Sequence, residues 1–290
     1  MTGPATSGMD VGRLVRQVTA SLNESGIDTA GLDARLIVMR VCGLTREDLL
    51  RDPGRAVGVD ALAEIARMTD RRAKREPLAR IFGEWRFRDF TFALDADTLV
   101  PRPETELLVE TALQLVGERG ACRIADLGTG SGCILLSLLA AMPEAQGVGT
   151  DISEAATIRA QANARLLNMT GRAQFAATSW LDGIIGPFDL IASNPPYIRT
   201  GDIADLEPEV RDHDPQRALD GGEDGYEAYR QLIPQAAAKL KPGGWLVLET
   251  GTGQHAEVAD LLRAAGLTGI EGRNDMAGHE RVSLARRELT

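Results

Sequence analysis

From Arg123 onward, short apolar segments alternate with helical ones. Five segments are predicted to be strands: "RIADLG", "GVGTDI", "AQFAAT", "FDLIASN" and "GWLVLET". Segments such as "EAATIRAQANARLLN" and "HAEVADLLRAAG" lie between or after them and have helical length and periodicity. This alternation is typical of an α/β fold, in which helices cover both faces of a mostly parallel sheet. The last segment, "ERVSLARRE", alternates polar and apolar residues and is predicted to be an edge strand.

The sequence divides into three regions. Residues 1–80 are predicted to form an N-terminal helical bundle, because apolar residues such as Leu14, Val18 and Leu22 repeat at helical spacing. Residues 81–101 are rich in Phe, Trp and Thr and predict a β-hairpin linker. Residues 102–290 form the α/β region, and its first helix is predicted to open at Pro103, with Glu104 and Glu106 in the first turn.

Charge and the N-terminal sequence narrow the class of protein. The 290 residues include 32 basic and 42 acidic side chains, a net charge of -10, and the acidic excess lies outside residues 9–80. An acidic main domain is poorly suited to non-specific nucleic-acid binding, which requires neutralisation of phosphates. The start, "MTGPATSGMD", lacks a signal-peptide pattern, and no apolar run approaches the about 20 residues that span a bilayer. We therefore expect a cytoplasmic protein that does not bind membranes.

Potential metal ligands are few and scattered. The cysteines lack ligand spacing, which fits a reducing compartment: Cys42, Cys122 and Cys133. The histidines are equally dispersed, and surface or structural roles are expected for them: His213, His255 and His279. No metal site is predicted.

A basic cluster ends the helical region: Arg71, Arg72, Lys74 and Arg75. One interpretation is a solvated helix face. The other is a contact with an acidic partner, or with RNA close to one.

A glycine-rich turn follows the first predicted strand of the α/β region. "IADLGTGSGC" puts Gly128, Gly130 and Gly132 between a strand and a helix, where a backbone without Cβ atoms can turn tightly and let a ligand approach. Ligands of open α/β sheets bind beyond the carboxyl ends of the strands. Alone, this spacing is a weak signal that is also compatible with a simple tight turn.

Two acidic residues near the glycine turn favour a ligand-binding site over a simple tight turn. Asp126 precedes the glycine turn, and Asp151 ends the next strand, where a carboxylate can accept both ribose hydroxyls. A dinucleotide site requires a glycine at the position of Cys133, and no lysine follows to hold a phosphate. The pattern favours a nucleoside without pyrophosphate, and S-adenosylmethionine fits. Asp126 and the loop amides, including those of Thr129 and Ser131, are predicted to bind its amino acid end.

The third strand is followed by "TSWLDG". Trp180 is predicted to pack on the adenine, and Ser179 to hydrogen-bond the adenine edge. The alternative is that Trp180 belongs to the core.

The fourth strand leaves the sheet through "NPPY". Pro195 and Pro196 fix φ and remove two N–H donors, so the turn presents the Asn194 side chain and the Pro195 carbonyl with little freedom. The alternative is a rigid strand exit whose asparagine only faces solvent.

The "NPPY" turn suits methyl transfer to a planar nitrogen. The lone pair of an amide or exocyclic amine is delocalised, so such a nitrogen is a weak nucleophile. The Asn194 oxygen and the Pro195 carbonyl can hold its two N–H groups, and the Tyr197 ring can stack on it and favour developing positive charge. Orientation and fixed dipoles would supply the rate without a strong base.

The chain resembles the PrmC/HemK family, the N5-glutamine methyltransferases of peptide chain release factors. The resemblance covers nearly the whole chain and rests on "FGEWRF", "LVPRPETE", "DLGTGSG", "NPPYI", "RALDGGEDGYEAYR" and "LETGTGQ". The "NPPY" tetrapeptide alone is shared with DNA adenine methyltransferases, whereas "PRPETE" and the "ALDGG" block are more specific to this family.

The resemblance implies a Rossmann-like domain with a seven-stranded sheet that binds S-adenosylmethionine and releases S-adenosylhomocysteine. It implies that the target is the glutamine of the Gly-Gly-Gln motif in class 1 release factors. The donor would bind at Gly128 to Gly132, Asp151, Trp180 and Asn194. The glutamine amide would bind at Asn194 to Tyr197, with Arg102 and Glu104 bordering the pocket. The helical domain would hold the release factor away from the glutamine, and a monomer is expected.

Some residues depart from the family pattern or keep a second interpretation. Ser179 stands where relatives often carry Asp, and no role is assigned to His213 or Asp214. "ALDGGEDGYEAYR", judged without the resemblance, is interpreted as a surface turn. Glu249 is interpreted as structural, in reach of the loop beside the donor.

Two other functions remain compatible with the sequence. A nucleic-acid adenine or guanine N-methyltransferase would share the "NPPY" chemistry, but it needs base flipping and usually a basic recognition domain. A non-catalytic module that retains the fold would be expected to lose loop glycines or Asn194, and all of them are present.

Overall fold

A computed structural model describes residues 9–116 and 120–289. The signal-peptide prediction made on the first ten residues falls mostly outside this range. The chain divides into two compact units, Met1–Phe82 and Gly83–Thr290.

The first unit is helical. The helix ends follow local signals: Asp10 caps the first helix by accepting from the Arg13 N–H at 2.7 Å, Gly43 ends the second with φ +61°, and Thr45 and Asp48 form a capping box on the third. Its helices are α1 Val11–Glu24, α2 Ala30–Cys42, α3 Arg46–Arg51, α4 Val59–Ala73 and α5 Leu78–Phe82.

The basic cluster at the end of α4 forms contacts within its own unit. The Arg72 side chain is buried and pairs with Asp33 at 2.7 Å, and Arg71 pairs with Glu76. Lys74 pairs with Asp70 at 2.7 Å, and Arg75 donates to the Gly26 carbonyl at 2.8 Å. These contacts give the cluster a structural role and remove the need for an acidic partner to explain it.

The β-hairpin consists of β1 Glu84–Phe87 and β2 Phe90–Ala93 and belongs to the second unit. Phe87 and Phe92 are buried, with ring centroids 6.3 Å apart, and they join the core of the α/β region. The structure thus differs from the predicted linker over residues 81–101. Residues 81 and 82 complete α5, and Phe87 and Phe92 of the hairpin are buried in the second unit.

The remaining elements of the second unit follow the predicted alternation. The first helix begins at Thr105 rather than Pro103, so Glu104 precedes it. The helices are α6 Thr105–Val116, α7 Cys133–Ala141, α8 Glu154–Leu166, α9 Pro208–Arg211, α10 Glu227–Lys239 and α11 His255–Ala264. The strands are β3 Arg123–Leu127, β4 Gln146–Asp151, β5 Ala173–Ala177, β6 Phe188–Ser193, β7 Leu240–Glu249, β8 Thr268–Asn274 and β9 Glu280–Arg286.

These seven strands form one sheet in the order β5-β4-β3-β6-β7-β9-β8. The first five are parallel, and β9 is antiparallel to both of its neighbours. The predicted Rossmann-like fold is confirmed. The prediction that "ERVSLARRE" is an edge strand was wrong, because β8 lies outside it. Gly269 and Gly272 interrupt the apolar pattern of β8, which hid this strand in the sequence.

The sheet has one apolar core on each face. On β3, Ile124 faces the core formed with α6 and α7, whereas Ala125 and Leu127 face the core formed with α10 and α11. Burial on both faces explains the nearly continuous apolar runs of the central strands. Among residues 9–116 and 120–289, no helix is long and apolar enough to cross a membrane.

Candidate active site

A cavity of about 550 Å³ opens at the carboxyl ends of β3, β4 and β6. The chain winds from β3 to β4 and β5 on one side and returns to β6 on the other, which is the switch point where open α/β sheets bind ligands. Ten predicted site residues line it: Arg102, Gly128, Thr129, Gly130, Ser131, Asp151, Ser179, Trp180, Asn194 and Pro196. Five others do not contribute to the lining: Glu104, Asp126, Gly132, Pro195 and Tyr197.

The glycine turn needs its glycines for different reasons. Gly128, Gly130 and Gly132 have φ values of +68°, +53° and +82°, a conformation that other residues rarely adopt. A Cβ at Gly130 would meet nothing within 4 Å, so its backbone lies open. A Cβ at Gly132 would lie 3.2 Å from the Cβ of Ala160, so this glycine serves packing of α8 against the turn rather than the cavity wall.

Asp126 lies beneath the turn, not on its surface. Its side chain is fully buried, and Oδ2 accepts from the Thr129 hydroxyl at 2.6 Å and from the Leu135 N–H at 3.3 Å. Burial raises the pKa of Asp126 to about 7, although these hydrogen bonds oppose the shift. The carboxylate thus supports the loop from below and does not line the cavity, and direct binding of the amino acid end of a donor by Asp126 stays a prediction.

Asp151 borders the cavity at the end of β4. Oδ2 accepts from the Gly130 N–H at 3.0 Å and Oδ1 from the Ser153 N–H at 2.9 Å. Burial raises the pKa of Asp151, against these hydrogen bonds and the nearby Arg217. Each carboxylate oxygen can accept more than one hydrogen bond, so both retain capacity toward a diol.

Trp180 and Ser179 lie on the wall after β5. Trp180 adopts φ +48°, and its indole N–H donates to Gln231 Oε1 at 3.0 Å. The ring is half-buried and lines the cavity, so it is not a purely internal core residue. Its hydrogen bond fixes the ring in a position where a planar ligand can stack.

The "NPPY" turn leaves β6 beside the glycine turn. The Ser193 hydroxyl donates to the Leu127 carbonyl at 2.7 Å, which ties the two strand exits together. Asn194 and Pro196 reach the cavity, whereas Pro195 is buried.

The segment "ALDGGEDGYEAYR" holds the turn in place. Ile198 donates to the Leu219 carbonyl at 3.0 Å, and Gly221 donates to the Ile198 carbonyl at 2.7 Å. A Cβ at Gly221 would lie 2.8 Å from the Tyr197 Cα, so only glycine permits this approach. Interpreting the segment as a surface turn was therefore incomplete, because part of it is a backbone clamp on the predicted catalytic turn.

Tyr197 packs behind the turn. Its carbonyl accepts from Gln254 Nε2 at 3.0 Å, and a Cβ at Gly251 would lie 3.1 Å from its ring. Burial is the main cause that raises the pKa of Tyr197 above its ordinary value. "LETGTGQ" thus supplies Gly251 and Gln254 as supports of the turn.

The residues before α6 reach the cavity through Arg102, which pairs with Asp214. The Asp214 side chain is only 1% exposed, and Arg102 is its charged partner. No role was predicted for Asp214, and this ion pair gives it a structural one. Glu104 is exposed.

Two important contacts were not predicted. Asn194 Nδ2 donates to the Thr105 hydroxyl at 3.1 Å, and that hydroxyl donates to Glu249 Oε2 at 2.7 Å. The three residues are far apart in the chain, and no local pattern links them. Arg217, Asp97 and Gln231 also line the cavity and were missed for the same reason.

In the described part of the chain, no group of three His, Cys, Asp or Glu side chains is arranged to hold a metal ion. His255 instead contacts the Ser283 hydroxyl at 2.8 Å, and the three cysteines are not paired with each other.

Two family models match the chain: the PrmC N-terminal domain over residues 13–83 and the methyltransferase small domain over residues 103–207. A methyltransferase structure from Pyrococcus furiosus is 18% identical, covers 68% of this chain and 88% of its own, and has a TM-score of 0.52, which indicates a common fold.

Full-length relatives are more informative. A release factor glutamine methyltransferase from Rhodospirillum rubrum is 47% identical over 288 residues, which is 98% of this chain and 88% of the relative. That from Bradyrhizobium diazoefficiens is 46% identical over 285 residues, or 97% of this chain and 96% of the relative. The chain therefore belongs to the release factor glutamine methyltransferase family.

Proposed function

We propose that this protein transfers a methyl group from S-adenosylmethionine to the side-chain amide nitrogen of the glutamine in the Gly-Gly-Gln motif of class 1 release factors. The observation that carries the proposal is that Asn194 and the donor-type residues Gly130, Asp151 and Trp180 line one cavity. An acceptor amide held by Asn194 would therefore adjoin the donor without movement of the sheet.

The residues present fit S-adenosylmethionine. The cavity has the volume of typical small-molecule sites, and it contains a stacking ring, a carboxylate with spare acceptor capacity and an open glycine backbone. Trp180 would hold the adenine, Asp151 the ribose hydroxyls, and the N–H groups of the 128–132 turn the amino acid end. When bound, the donor supplies a methyl group on a positively charged sulfur, and its product is S-adenosylhomocysteine.

The acceptor amide has two N–H groups and therefore needs two acceptors. Asn194 lines the cavity, and its side-chain oxygen can supply one of them. The second acceptor is predicted to be the carbonyl of Pro195, a buried residue, and the two prolines restrict the positions of both oxygens. Hydrogen bonds to these oxygens become stronger as the nitrogen gains positive charge, so they favour the transition state over the ground state. Stacking of the Tyr197 ring on the amide, and contacts of Arg102 and Glu104 with the substrate, stay predictions.

A strong general base is not needed in this scheme. The amide nitrogen becomes acidic once it bears the methyl group, and its proton can pass to solvent. The main contribution of the chain is orientation of the acceptor amide toward the donor methyl group.

The helical unit is proposed to bind the release factor at a distance from the glutamine. We further propose that the enzyme acts as a monomer in the cytoplasm, where release factors work, and that nucleic acid is not its substrate. Residues 9–80 carry 13 basic and 11 acidic side chains, a net charge of only +2. This small charge and the internal pairing of the α4 cluster support a protein partner over a nucleic-acid partner.

The direct test is incubation of the protein with S-adenosylmethionine and a purified class 1 release factor, followed by peptide mass spectrometry. We expect one added methyl group on the glutamine of Gly-Gly-Gln. The matched control is a release factor with that glutamine replaced by asparagine. A parallel incubation with DNA tests the exocyclic-amine alternative, and methylation of DNA without methylation of the release factor would reject the proposal.

A further inference from the structure

Asn194 belongs to a row of hydrogen-bonded side chains that runs from the cavity wall, which includes Thr105, to the buried Glu249. Its Nδ2 lies 3.1 Å from the hydroxyl of Thr105, the first residue of α6, and that hydroxyl lies 2.7 Å from Oε2 of Glu249, the last residue of β7. Thr105 and Glu249 are 2% and 1% exposed, so water cannot readily substitute for either partner.

The numbers of protons and lone pairs on Asn194, Thr105 and Glu249 determine which residue donates in each hydrogen bond. An ionised carboxylate can only accept, and a threonine hydroxyl has a single proton. When Thr105 donates that proton to Glu249, it can offer only a lone pair to Asn194. The asparagine must then turn its NH2 group toward Thr105, and its oxygen faces the opposite way.

This orientation decides whether Asn194 can bind an amide nitrogen. The NH2 group that receives the methyl group is a hydrogen-bond donor. It therefore needs the side-chain oxygen of Asn194 as its hydrogen-bond acceptor. If the side chain were rotated by 180°, two NH2 groups would face each other and no hydrogen bond could form between them.

We propose that Glu249, acting through Thr105, is a positioning residue that locks the Asn194 amide with its oxygen toward the methyl acceptor. The inference rests on the proposed function, since it assumes that the acceptor is an NH2 group. It assigns a role to a carboxylate that would otherwise be a costly buried charge.

Several groups around Glu249 influence its charge. Hydrogen bonds from Thr105 and the Tyr197 side chain, together with Arg281, favour the ionised form, whereas Glu104 opposes it. Cys133 and Tyr229 also face this carboxylate. Burial is the largest effect and raises the pKa of Glu249 to about 7.

The lock should therefore depend on pH. A protonated Glu249 can donate to Thr105, which frees the threonine proton for the Asn194 oxygen and permits the wrong amide orientation. The ionised form, and with it the lock, increases as pH rises through about 7.

The test measures kcat/KM for release-factor methylation at saturating donor between pH 6 and 9, together with the donor Kd. Thr105→Val keeps the shape of the side chain but removes the hydroxyl, and we expect kcat/KM to fall about 10- to 100-fold with the donor Kd little changed. Thr105→Ser, the matched control, keeps the hydroxyl and should stay within about 3-fold of wild type.

Glu249→Gln provides an independent readout. It should abolish the rise of kcat/KM through pH 7 that we expect of the wild type, and it should increase resistance to urea at pH 8, because it removes a buried charge. A merely structural role predicts lower stability and weaker donor binding instead.

The proposed lock would be rejected if the Thr105→Val variant had the same kcat/KM as the wild type. It would also be rejected if the pH profile of Glu249→Gln were unchanged. If Thr105→Val does not fold, the pH profile of Glu249→Gln decides. Failure of the wild-type protein to methylate release factor at all would reject the proposed function, so the two failures can be distinguished.

Discussion

The backbone leaves the sheet in different ways after the neighbouring strands β3 and β6. After β3 the chain passes through Gly128, Gly130 and Gly132, all at positive φ, whereas after β6 it passes through two prolines. Leu127 and Ser193, the last residues of these strands, are paired in register, so the flexible-backbone exit and the stiff exit lie side by side. The first exit exposes backbone to the cavity, whereas the second presents the side chains of Asn194 and Pro196.

A buried carboxylate lies behind each exit, and each accepts a hydrogen bond from a threonine. Asp126 accepts from Thr129 at 2.6 Å and Glu249 from Thr105 at 2.7 Å, and burial raises the pKa of both acids to about 7. The first pair ends within the loop that it shapes. The second continues to Asn194 and so reaches the cavity.

The difference follows from what each exit must present. Backbone N–H groups have a fixed direction once the turn is formed, so the glycine exit needs only a shape. A side-chain amide can rotate, so the proline exit needs a further contact to choose its orientation. The predictions below test this contrast.

The largest effect is expected for Asn194→Ala. It removes the acceptor oxygen at the stiff exit, so turnover should fall about 100-fold or more while the donor Kd changes little. Single-turnover methylation and calorimetry separate the two quantities. Turnover close to wild type would remove Asn194 from the reaction.

Asp151→Ala should affect donor binding more than turnover, the reverse of Asn194→Ala. It removes the proposed ribose contact and the acceptor for the Gly130 N–H, so donor affinity should fall about 10- to 100-fold, with a smaller change in the chemical step at saturating donor. An unchanged donor Kd by calorimetry would exclude Asp151 from the site.

Gly225→Ala tests the clamp on the stiff exit. Gly225 and Gly253 have nearly equal φ values of +82° and +81°, but a Cβ at Gly225 would lie 2.7 Å from the Tyr197 carbonyl oxygen, whereas one at Gly253 would meet nothing within 4 Å. Both alanines incur the cost of positive φ, about 1 kcal/mol. Only Gly225→Ala should also lower turnover, by about 10-fold.

Equal turnover of Gly225→Ala and the Gly253→Ala control would show that the clamp does not influence the catalytic turn. Urea unfolding of both variants reports the shared backbone cost.

The smallest effect concerns stability and pH. The pKa of Asp126 rises from 3.8 and that of Glu249 from 4.5, each to about 7. Acids with a raised folded-state pKa stabilise the fold below their ordinary pKa, and this contribution is lost as pH rises toward 7. Asp126→Asn and Glu249→Gln should each reduce the loss of unfolding free energy between pH 5 and 8, as measured in urea. Slopes equal to that of the wild type would contradict the raised pKa values.

Much of the fold could be read from local patterns. The central parallel strands β3, β6 and β7 are apolar on both faces. Ten of the fifteen predicted site residues line the cavity, because glycine spacing and strand ends are local signals. β8 was missed because its glycines disrupt the apolar pattern, and β9 was misplaced as a consequence.

The sequence alone determined the α/β architecture, the donor-type turn after β3 and the rigid "NPPY" exit, since each depends on residues that are close in the chain. Only the tertiary structure decided that Asp126 lies beneath its loop, that the "ALDGG" segment clamps Tyr197, and that Thr105 and Glu249 stand behind Asn194. The hydrogen bonds that link Glu249 and Thr105 to Asn194 join α6, β7 and the exit of β6. They depend on how elements distant in the chain pack together, and no local sequence pattern encodes that packing.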